Sequence, residues 1–346
     1  MKQNVVLVGA LDFPHIPRAG DTVKNRYLLE FFKAKFRRVG YIDTMKWRRN
    51  PVVILKILYM LFFRNVEHVV VSTSNATAYR LISFISRFRF GKDFYYFMIG
   101  GNMPLLIKNG TYEAAPFRCL KKIVVEADGV ARFWSEVGFD NVIRAYNFKP
   151  FSYIPVEPVE RIGKVKFIFL SRLTERKGIF HIMESAHRLN EAGFADAFEV
   201  DFYGTIQDDI RSRFLNEVEQ LPNVSYKGFL NLKEEANYSI LSGYDAMLFP
   251  TMYETEGFPG VIADAAIAGL PVIAADWNYA EELIGDGVCG YLFPTGDREA
   301  LQEKMQYVIE HRVDVAQLRV HCLEKAQCYN IKNVLTDDLL NRLEMK

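Results

Sequence analysis

Cysteines are scarce in this sequence of 346 residues. The four present, Cys119, Cys289, Cys322 and Cys328, show no paired spacing, and none lies near two histidines at zinc-binding intervals. The sequence therefore argues against a disulfide framework and against a structural zinc site. It predicts free thiols in a reducing cytoplasm.

Long hydrophobic runs are also missing. The segment from Val52 to Phe63 is too short to span a bilayer and is interrupted by Lys56. The apolar N-terminal stretch VVLVGAL, followed by Asp12, lacks a basic leader and a small-residue cleavage site. It is predicted to be a first strand rather than a signal peptide. We expect a cytoplasmic protein, with peripheral attachment to the inner face of the plasma membrane as an open alternative.

The net charge is only +1, but it hides an asymmetry. Residues 1–150 carry 24 basic and 11 acidic side chains, whereas the remainder carries 19 and 31. Such a difference predicts two domains, the first of which faces an anionic partner. A membrane surface would be such an anionic partner. The alternative is a solvated basic face that has no partner. No interleaved aromatic and basic motif is present, so we expect no nucleic acid.

Strand-length hydrophobic runs alternate with helix-length gaps, and a proline-bearing segment at 147–160 separates two sets of them. Runs rich in Val, Ile, Phe and Tyr are typical of buried parallel strands in βαβ units. The pattern predicts an α/β protein with two doubly wound, Rossmann-like domains facing each other across a deep cleft. The runs are NVVLVGA, RVGYID, HVVVSTS, FYYFMIGG, KKIVVEA, VIRAYNF, KFIFLSRL, FEVDFYG, VSYKG, YDAMLFP, PVIAAD and GYLFP.

Ligands bind beyond the carboxyl ends of the strands in such sheets, so the loops after strands are the place to look. The stretch FLSRLTERKGIF puts Arg172 and Lys177 on the turn after a strand, and Gly178 opens the next helix. Two cations beside the free N–H groups of a helix N-terminus can bind a diphosphate. Cations that only solvate a turn are the alternative.

A second loop carries acids. In YETEGFPGVIADAAIAGLPVIAAD, Glu256 and Asp264 lie on either side of a turn in which Gly257 and Gly260 let a ligand approach the backbone. Carboxylates that accept hydrogen bonds from neighbouring hydroxyls hold a ribose or a hexose. A helix acid that only interacts with the helix dipole is the alternative.

Together these motifs resemble the retaining glycosyltransferases of family 4, which have the GT-B fold. The likeness covers most of the chain, tightly over 165–300 and loosely before 150. The matching segments are SRLTERKG for the phosphate motif, EGFPGVIADAAIAGLPVIAAD for the Glu-x7-Glu donor motif, GYLFPTGDREAL for the segment after it, and GDTVKNRYLLEFF and FMIGGNMP for the N-terminal side of bacterial capsule and exopolysaccharide members.

The resemblance implies roles for the donor side. Arg172 and Lys177 would stabilise the diphosphate leaving group, Glu256 would hold hydroxyls of the transferred sugar, and these three are the expected catalytic residues. Asp264 would bind the ribose, where the family usually has the longer Glu. The other expected donor-binding residues are Gly20, Gly204, Gly228, Phe229, Gly257, Phe258, Gly260 and Val261.

On the acceptor side, many relatives carry a histidine in the loop where this sequence has Gly100, Gly101 and Asn102. His15 is the nearest alternative by loop position, and a purely structural histidine is the competing interpretation. The implied acceptor is a glycan or a lipid-diphosphate-linked saccharide in cell-surface polysaccharide biosynthesis.

The implied chemistry needs no protein nucleophile, because the leaving diphosphate accepts the proton of the acceptor on the same face of the sugar. Metal-dependent glycosyltransferases of the other common fold use an Asp-x-Asp pair, and the sequence contains none. We therefore expect a metal-independent, retaining hexosyltransferase that needs no cofactor. Its expected donor is a nucleotide-diphosphate sugar, and a UDP-sugar is the first choice. A nucleotide-sugar 2-epimerase of GT-B fold and a non-catalytic GT-B subunit are the alternatives.

The expected domain boundaries are 1–149 for the acceptor side and 150–328 for the donor side, with a helix over 329–346 packing back on the first domain. The segment MKWRRNPVVILKILYMLFFR, which starts at Met45, stays ambiguous. Its apolar run is either a buried Rossmann helix or part of a membrane-contacting face. The basic residues that favour the second interpretation are Lys46, Arg48, Arg49, Lys56 and Arg64.

Overall fold

The computed structural model describes residues 4–15, 20–45, 47, 50–63, 65–88, 90–153, 163–253 and 256–345. The chain divides into a first unit, residues 1–149 with 331–346, and a second unit, residues 150–330. Each unit contains one six-stranded sheet in which every pairing is parallel. The predicted α/β class with two doubly wound sheets is confirmed.

All the hydrophobic runs named above form strands. They are β1 Asn4–Gly9, β2 Arg38–Asp43, β3 His68–Ser72, β4 Asp93–Phe97, β5 Lys122–Val125, β6 Val142–Arg144, β7 Val165–Leu170, β8 Phe198–Tyr203, β9 Val224–Gly228, β10 Ala246–Phe249, β11 Val272–Ala275 and β12 Gly290–Phe293. Most of their residues are buried, because helices cover both faces of a parallel sheet.

Helices follow most of the strands. They are α1 Gly20–Lys35, α2 Pro51–Phe62, α3 Asn75–Ile85, α4 Met103–Lys108, α5 Asp128–Glu136, α6 Ile179–Leu189, α7 Arg211–Gln220, α8 Tyr238–Ser242, α9 Gly260–Ile267, α10 Ala280–Leu283, α11 Arg298–Glu310, α12 Arg312–Gln327, α13 Ile331–Val334 and α14 Asp337–Leu343.

The last two helices, α13 and α14, belong to the first unit. Leu335, Leu339 and Leu343 share its core with residues of β1 and α1. Two ion pairs of 2.7 Å add to this contact, Lys35 to Asp337 and Lys122 to Glu344. Residues 331–345 therefore complete the first hydrophobic core after the chain has built the whole of the second unit.

Helix α2 begins at Pro51, as its sequence predicts. Only Val53, Met60 and Leu61 of this helix are buried, so the interpretation of the segment as an all-round buried helix is wrong. No helix among the described residues is long and apolar enough to cross a membrane. Four of the basic residues predicted for this segment, Lys46, Arg48, Arg49 and Arg64, lie outside the described residues.

The second sheet has the strand order β12-β11-β10-β7-β8-β9. The direction of winding reverses between β7 and β10, which are neighbours in the sheet. Such a reversal opens a crevice at the carboxyl ends of the two strands, where ligands bind in doubly wound folds. The two loops singled out from the sequence, after β7 and after β10, both start at this point.

Candidate functional site

The loop after β7 leads in a few residues to the start of α6. Lys177 ends a short 3-10 turn, Glu175–Lys177, whose backbone is held by the bond from Lys177 N–H to the Thr174 carbonyl at 3.0 Å. Gly178 follows in the left-handed region with a φ of 78° and directly precedes α6. A residue with a Cβ is strained in this conformation, which explains why a glycine follows Lys177.

The backbones of the loops after β7 and β10 pack closely against each other. A Cβ on Gly178 would lie 2.0 Å from the carbonyl oxygen of Pro250, which is closer than any real contact. Next to this point, the N–H of Met252 donates to the carbonyl of Arg176 at 2.8 Å. The close packing fixes where the β10 loop runs relative to the turn that carries Lys177.

Lys177 and Glu256 meet in a largely buried ion pair between the two loops. The hydroxyl of Thr251 donates to the same carboxylate oxygen, Oε2, at 3.2 Å. The ammonium group of Lys177 also lies 5.0 Å from the ring centre of Phe249 and 5.2 Å from that of Tyr253. Attraction to the two ring faces helps to hold the cation at the switch point.

Polar groups around this pair remain available. No hydrogen bond joins Oε1 of Glu256 to another described residue. The guanidinium of Arg172 is exposed, and no acid among the described residues pairs with it. Helices α6 and α9 begin here without a hydrogen bond from a capping side chain. N–H groups of two helix N-termini and two cations are the kind of groups that bind an anion, which keeps this loop pair the candidate site.

Asp264 lies inside α9 and is buried. The hydroxyl of Tyr238, on α8, donates to its Oδ1 at 2.6 Å. The ring of Tyr153 stacks on Tyr238, with 5.6 Å between the ring centres. The carboxylate is therefore held in one orientation, separate from the ion pair made by Glu256.

Three candidate donor residues come from the loops after β8 and β9. Gly204 has a packing role, because a Cβ there would lie 1.7 Å from the carbonyl oxygen of Ser171. Gly228 has a φ of 81° and open space at its Cβ position. Phe229 is one of the most exposed aromatic residues described, so its ring can meet a flat ligand such as a base.

The remaining candidates of the second unit surround the start of α9. The carbonyl of Gly257 accepts a hydrogen bond from the indole N–H of Trp277 at 3.4 Å. Phe258 is buried with its ring edge-on to Tyr329, with 4.9 Å between the ring centres. Gly260 and Val261 form the first turn of α9 and are partly exposed.

Five predicted residues lie in the first unit. His15 is exposed, and Gly20 is the first residue of α1. Gly100, with a φ of 74°, and Gly101 precede Asn102 in the loop between β4 and α4. The side-chain oxygen of Asn102 is buried without a hydrogen-bond partner among the described residues, which suits a ligand-facing amide.

Two contributors to the site escaped the sequence analysis. Thr251, which bonds Glu256, comes directly after the Pro that ends the β10 run, and its position beyond a strand end could have indicated it. Tyr238 could not be found in this way, because 26 residues separate it from Asp264. No local spacing connects a tyrosine on α8 to a carboxylate on α9.

A groove of about 650 Å³ lies between α6 and α7 of the second unit, and Glu175 and Met252 from the two site loops are among its lining residues. None of the predicted site residues lines it, and its described cations are paired with nearby acids, such as Arg188 with Glu184 at 2.7 Å and Arg213 with Glu217 at 3.0 Å.

The described residues contain no cluster of three or more His, Cys, Asp or Glu suited to a metal ion. The four cysteines are free, as predicted.

The model of the family described as glycosyl transferases group 1 matches residues 155–327. The amylovoran biosynthesis glycosyltransferase AmsK of Erwinia amylovora is 27% identical over 156 residues, which are 44% of this chain and 37% of the relative. The putative colanic acid biosynthesis glycosyltransferase WcaL of Escherichia coli K12 is 28% identical over 155 residues, 44% of this chain and 36% of the relative. The matched stretch thus spans just over a third of these curated relatives.

Solved structures match over nearly the whole chain. HepE of Anabaena, in complex with UDP, has a TM-score of 0.73 at 14% identity and covers 99% of this chain and 100% of its own. The sucrose-phosphate synthase of Thermosynechococcus elongatus has a TM-score of 0.74 at 14% identity, with the same coverage. At these identities the likeness shows the fold, which is the GT-B fold.

Proposed function

The chain belongs to the group 1 glycosyl transferases, and we propose that it is a retaining hexosyltransferase that uses a UDP-sugar. The acceptor is a glycan or a lipid-diphosphate-linked saccharide of a cell-surface polysaccharide. Support for the donor comes from HepE, whose structures contain UDP and UDP-glucose. Support for the pathway comes from the relatives named for amylovoran and colanic acid biosynthesis. These names favour sugar transfer over the epimerase alternative.

The observation that carries the proposal is the Lys177–Glu256 pair between two uncapped helix starts, together with the exposed Arg172 on the same loop as Lys177, which pairs with no described acid. A lysine ammonium has three N–H donors, and Glu256 uses one of them. Lys177 can therefore bind a phosphate oxygen without leaving its carboxylate. Arg172 adds a planar donor group that suits phosphate oxygens.

In this proposal Glu256 accepts hydrogen bonds from hydroxyls of the sugar through its open oxygen, Oε1. Lys177 then contacts groups on both sides of the bond that breaks, because it pairs with the carboxylate that holds the sugar and also binds the diphosphate. The arrangement aligns the sugar with its leaving group before the reaction starts. Such alignment lowers the entropy cost of reaching the transition state.

The chemical step transfers the anomeric carbon from the diphosphate oxygen to the acceptor oxygen on the same face of the sugar. The bond to the diphosphate breaks, and the leaving phosphate takes the proton of the acceptor hydroxyl. Negative charge then grows on the diphosphate, which Lys177, Arg172 and the N–H groups of α6 and α9 stabilise. In this proposal the fixed cations perform the charge neutralisation that a metal ion performs in other glycosyltransferases.

Asp264 is the proposed ligand of the ribose. Tyr238 donates to Oδ1, which fixes the orientation in which the carboxylate would meet the ribose hydroxyls. The loops that carry Gly204 and Gly228 are the proposed base-binding surface, with the exposed ring of Phe229 beside them.

The acceptor is proposed to bind on the first unit, near the loop that contains Gly100, Gly101 and Asn102. His15 stays a candidate for the same role. A lipid-linked saccharide is carried in a bilayer, so the proposal includes an anionic membrane surface as a partner of the first unit.

The test removes the two cations separately. In Arg172→Ala and Lys177→Ala, release of UDP from a UDP-sugar should fall by roughly 10²–10³, the loss measured when one preorganised oxyanion donor is removed. Arg188→Ala is the matched control, because it deletes a cation at the other end of α6 that pairs with Glu184. Its turnover should equal that of the wild type, and all three variants should keep their unfolding temperature within a few degrees.

Two results would contradict the assignment. If either Arg172→Ala or Lys177→Ala turned over at the rate of Arg188→Ala, that residue would not stabilise the diphosphate. If the wild type neither bound UDP nor used any donor, the chain would be a non-catalytic member of the family.

A further inference from the structure

Helix α2 presents an apolar face to solvent. A surface helix usually packs its apolar residues on the sheet and turns polar ones outward. Here Val53, Met60 and Leu61 point inward, while exposed residues recur at intervals of three and four and therefore share one face. The outward residues on this face are Val52, Leu55, Lys56, Tyr59, Phe62 and, directly after the helix, Phe63; Ile54 is exposed as well.

Aromatic rings extend this face past the end of α3. The ring of Phe62 contacts those of Phe88 and Phe90, with 6.0 and 5.1 Å between ring centres. Tyr59 stacks on Phe63 at 6.0 Å, and Phe63 is 77% exposed. We call the outward residues of α2 together with Phe63, Phe88 and Phe90 the α2–α3 patch. Connected exposed apolar surface of this kind marks a binding site for a protein or a membrane.

The chain around the α2–α3 patch is strongly basic. Residues 44–92 contain nine Lys or Arg and one acid, Glu67. Of these cations, Lys56, Arg80 and Arg87 are described and exposed. Lys56 belongs to the patch itself, and its aliphatic stem can rest on apolar groups while the ammonium reaches outward.

We propose that the α2–α3 patch lies against an anionic lipid bilayer. Apolar rings enter the boundary between headgroups and acyl chains, and exposed cations such as Lys56 meet the lipid phosphates. An apolar protein partner would match the rings but not the excess of cations, whereas an anionic bilayer matches both. With 12 residues α2 is too short to span the bilayer, so it lies parallel to the membrane plane.

The purpose of this membrane contact rests on the proposed function, because a lipid-linked acceptor would be reached from the bilayer. The contact itself requires no sugar transfer. Cations near an anionic surface contribute about 1 kcal/mol each. The three exposed cations among the described residues, Lys56, Arg80 and Arg87, therefore correspond to a preference of roughly 100-fold for anionic over neutral lipid. Attachment of this strength is reversible and weakens as salt screens the charges.

The experiment measures partition of the full chain onto vesicles of phosphatidylcholine with and without phosphatidylglycerol. Leu55→Ser combined with Phe63→Ser removes two patch residues that are 63% and 77% exposed. Val313→Ser combined with Val320→Ser is the matched control, since these residues of α12 are 75% and 59% exposed. The wild type and the control should bind anionic vesicles alike. The patch variant should lose at least about tenfold in partition, which equals about 1.4 kcal/mol.

Three outcomes would overturn the inference: no binding of the wild type to anionic vesicles, equal binding to neutral ones, or wild-type partition in the patch variant. A dimer in light scattering that the patch variant alone converts to a monomer would assign the patch to self-association instead. UDP titration of the same proteins separates the two proposals. Failure of the wild type to bind UDP contradicts the proposed UDP-sugar donor and leaves the membrane result untouched.

Discussion

Gly178 should not tolerate a side chain, because a Cβ there would overlap the carbonyl oxygen of Pro250. The change Gly178→Ala has two costs that the structure separates. A left-handed φ costs a residue with a Cβ roughly 1–2 kcal/mol. The new methyl group would also lie 2.0 Å from the Pro250 oxygen, and overpacking of this kind costs roughly 1–3 kcal/mol more.

Gly193→Ala isolates the first cost. Gly193 has a φ of 93° in the same unit, and no atom lies within 4 Å of its Cβ position. Both changes also reduce the freedom of the unfolded chain by the same amount, so this contribution cancels in the comparison. Gly178→Ala should thus be destabilised by roughly 1–3 kcal/mol more than Gly193→Ala.

The assay is thermal unfolding of the full-length variants, followed by UDP titration. For a unit of this size, 1 kcal/mol shifts the unfolding temperature by roughly 2–4 °C, so the two variants should differ by several degrees. Gly178→Ala must also push the β10 loop away from Lys177, which separates the ion pair with Glu256. UDP affinity should therefore fall in Gly178→Ala alone. Equal unfolding temperatures would refute the steric reasoning, and unchanged affinity would refute its link to the site.

Three further predictions concern individual side chains. Glu256→Gln should mainly lower turnover and Asp264→Asn should mainly weaken UDP binding, so an equal loss of affinity in both would mean that the roles are divided wrongly. Tyr238→Phe should weaken UDP binding several-fold in calorimetry, because the carboxylate of Asp264 loses its orienting donor, whereas wild-type affinity would make that bond incidental. Burial lowers the pKa of His68 and His181, so the unfolded chain binds protons more readily and stability should fall as the pH drops below about 6.5. Urea midpoints at pH 7.5 and 5.5 should differ less in His68→Gln/His181→Gln than in the wild type, and an equal difference would contradict this.

The strands were predictable because helices bury parallel strands on both faces, which leaves continuous runs such as KFIFL and AMLF. The predicted position of the candidate site follows from the same pattern. Arg172, Lys177 and Glu256 stand just beyond the carboxyl ends of strands, where a doubly wound sheet can bind a ligand. What local pattern does not encode is the strand order that makes β7 and β10 neighbours.

Contacts over long separations escaped prediction. The Lys177–Glu256 pair joins residues 79 positions apart, and neither loop alone indicates that the two charges touch. Tyr238 belongs to α8, for which no run or motif gave a functional hint. The orientation of α2 escaped for another reason, because a helix that is apolar nearly all round gives no signal for which side faces the sheet.

Turnover of nucleotide sugars without an acceptor tests the proposed function most directly. The purified chain is incubated with a panel of UDP- and GDP-sugars in the presence of EDTA, and the products are followed by NMR. Slow release of nucleoside diphosphate and free sugar from one donor, absent in Lys177→Ala, is the predicted result. An epimerised nucleotide sugar, or no reaction with any donor, would contradict the proposal that this protein transfers sugars through the Lys177–Glu256 site.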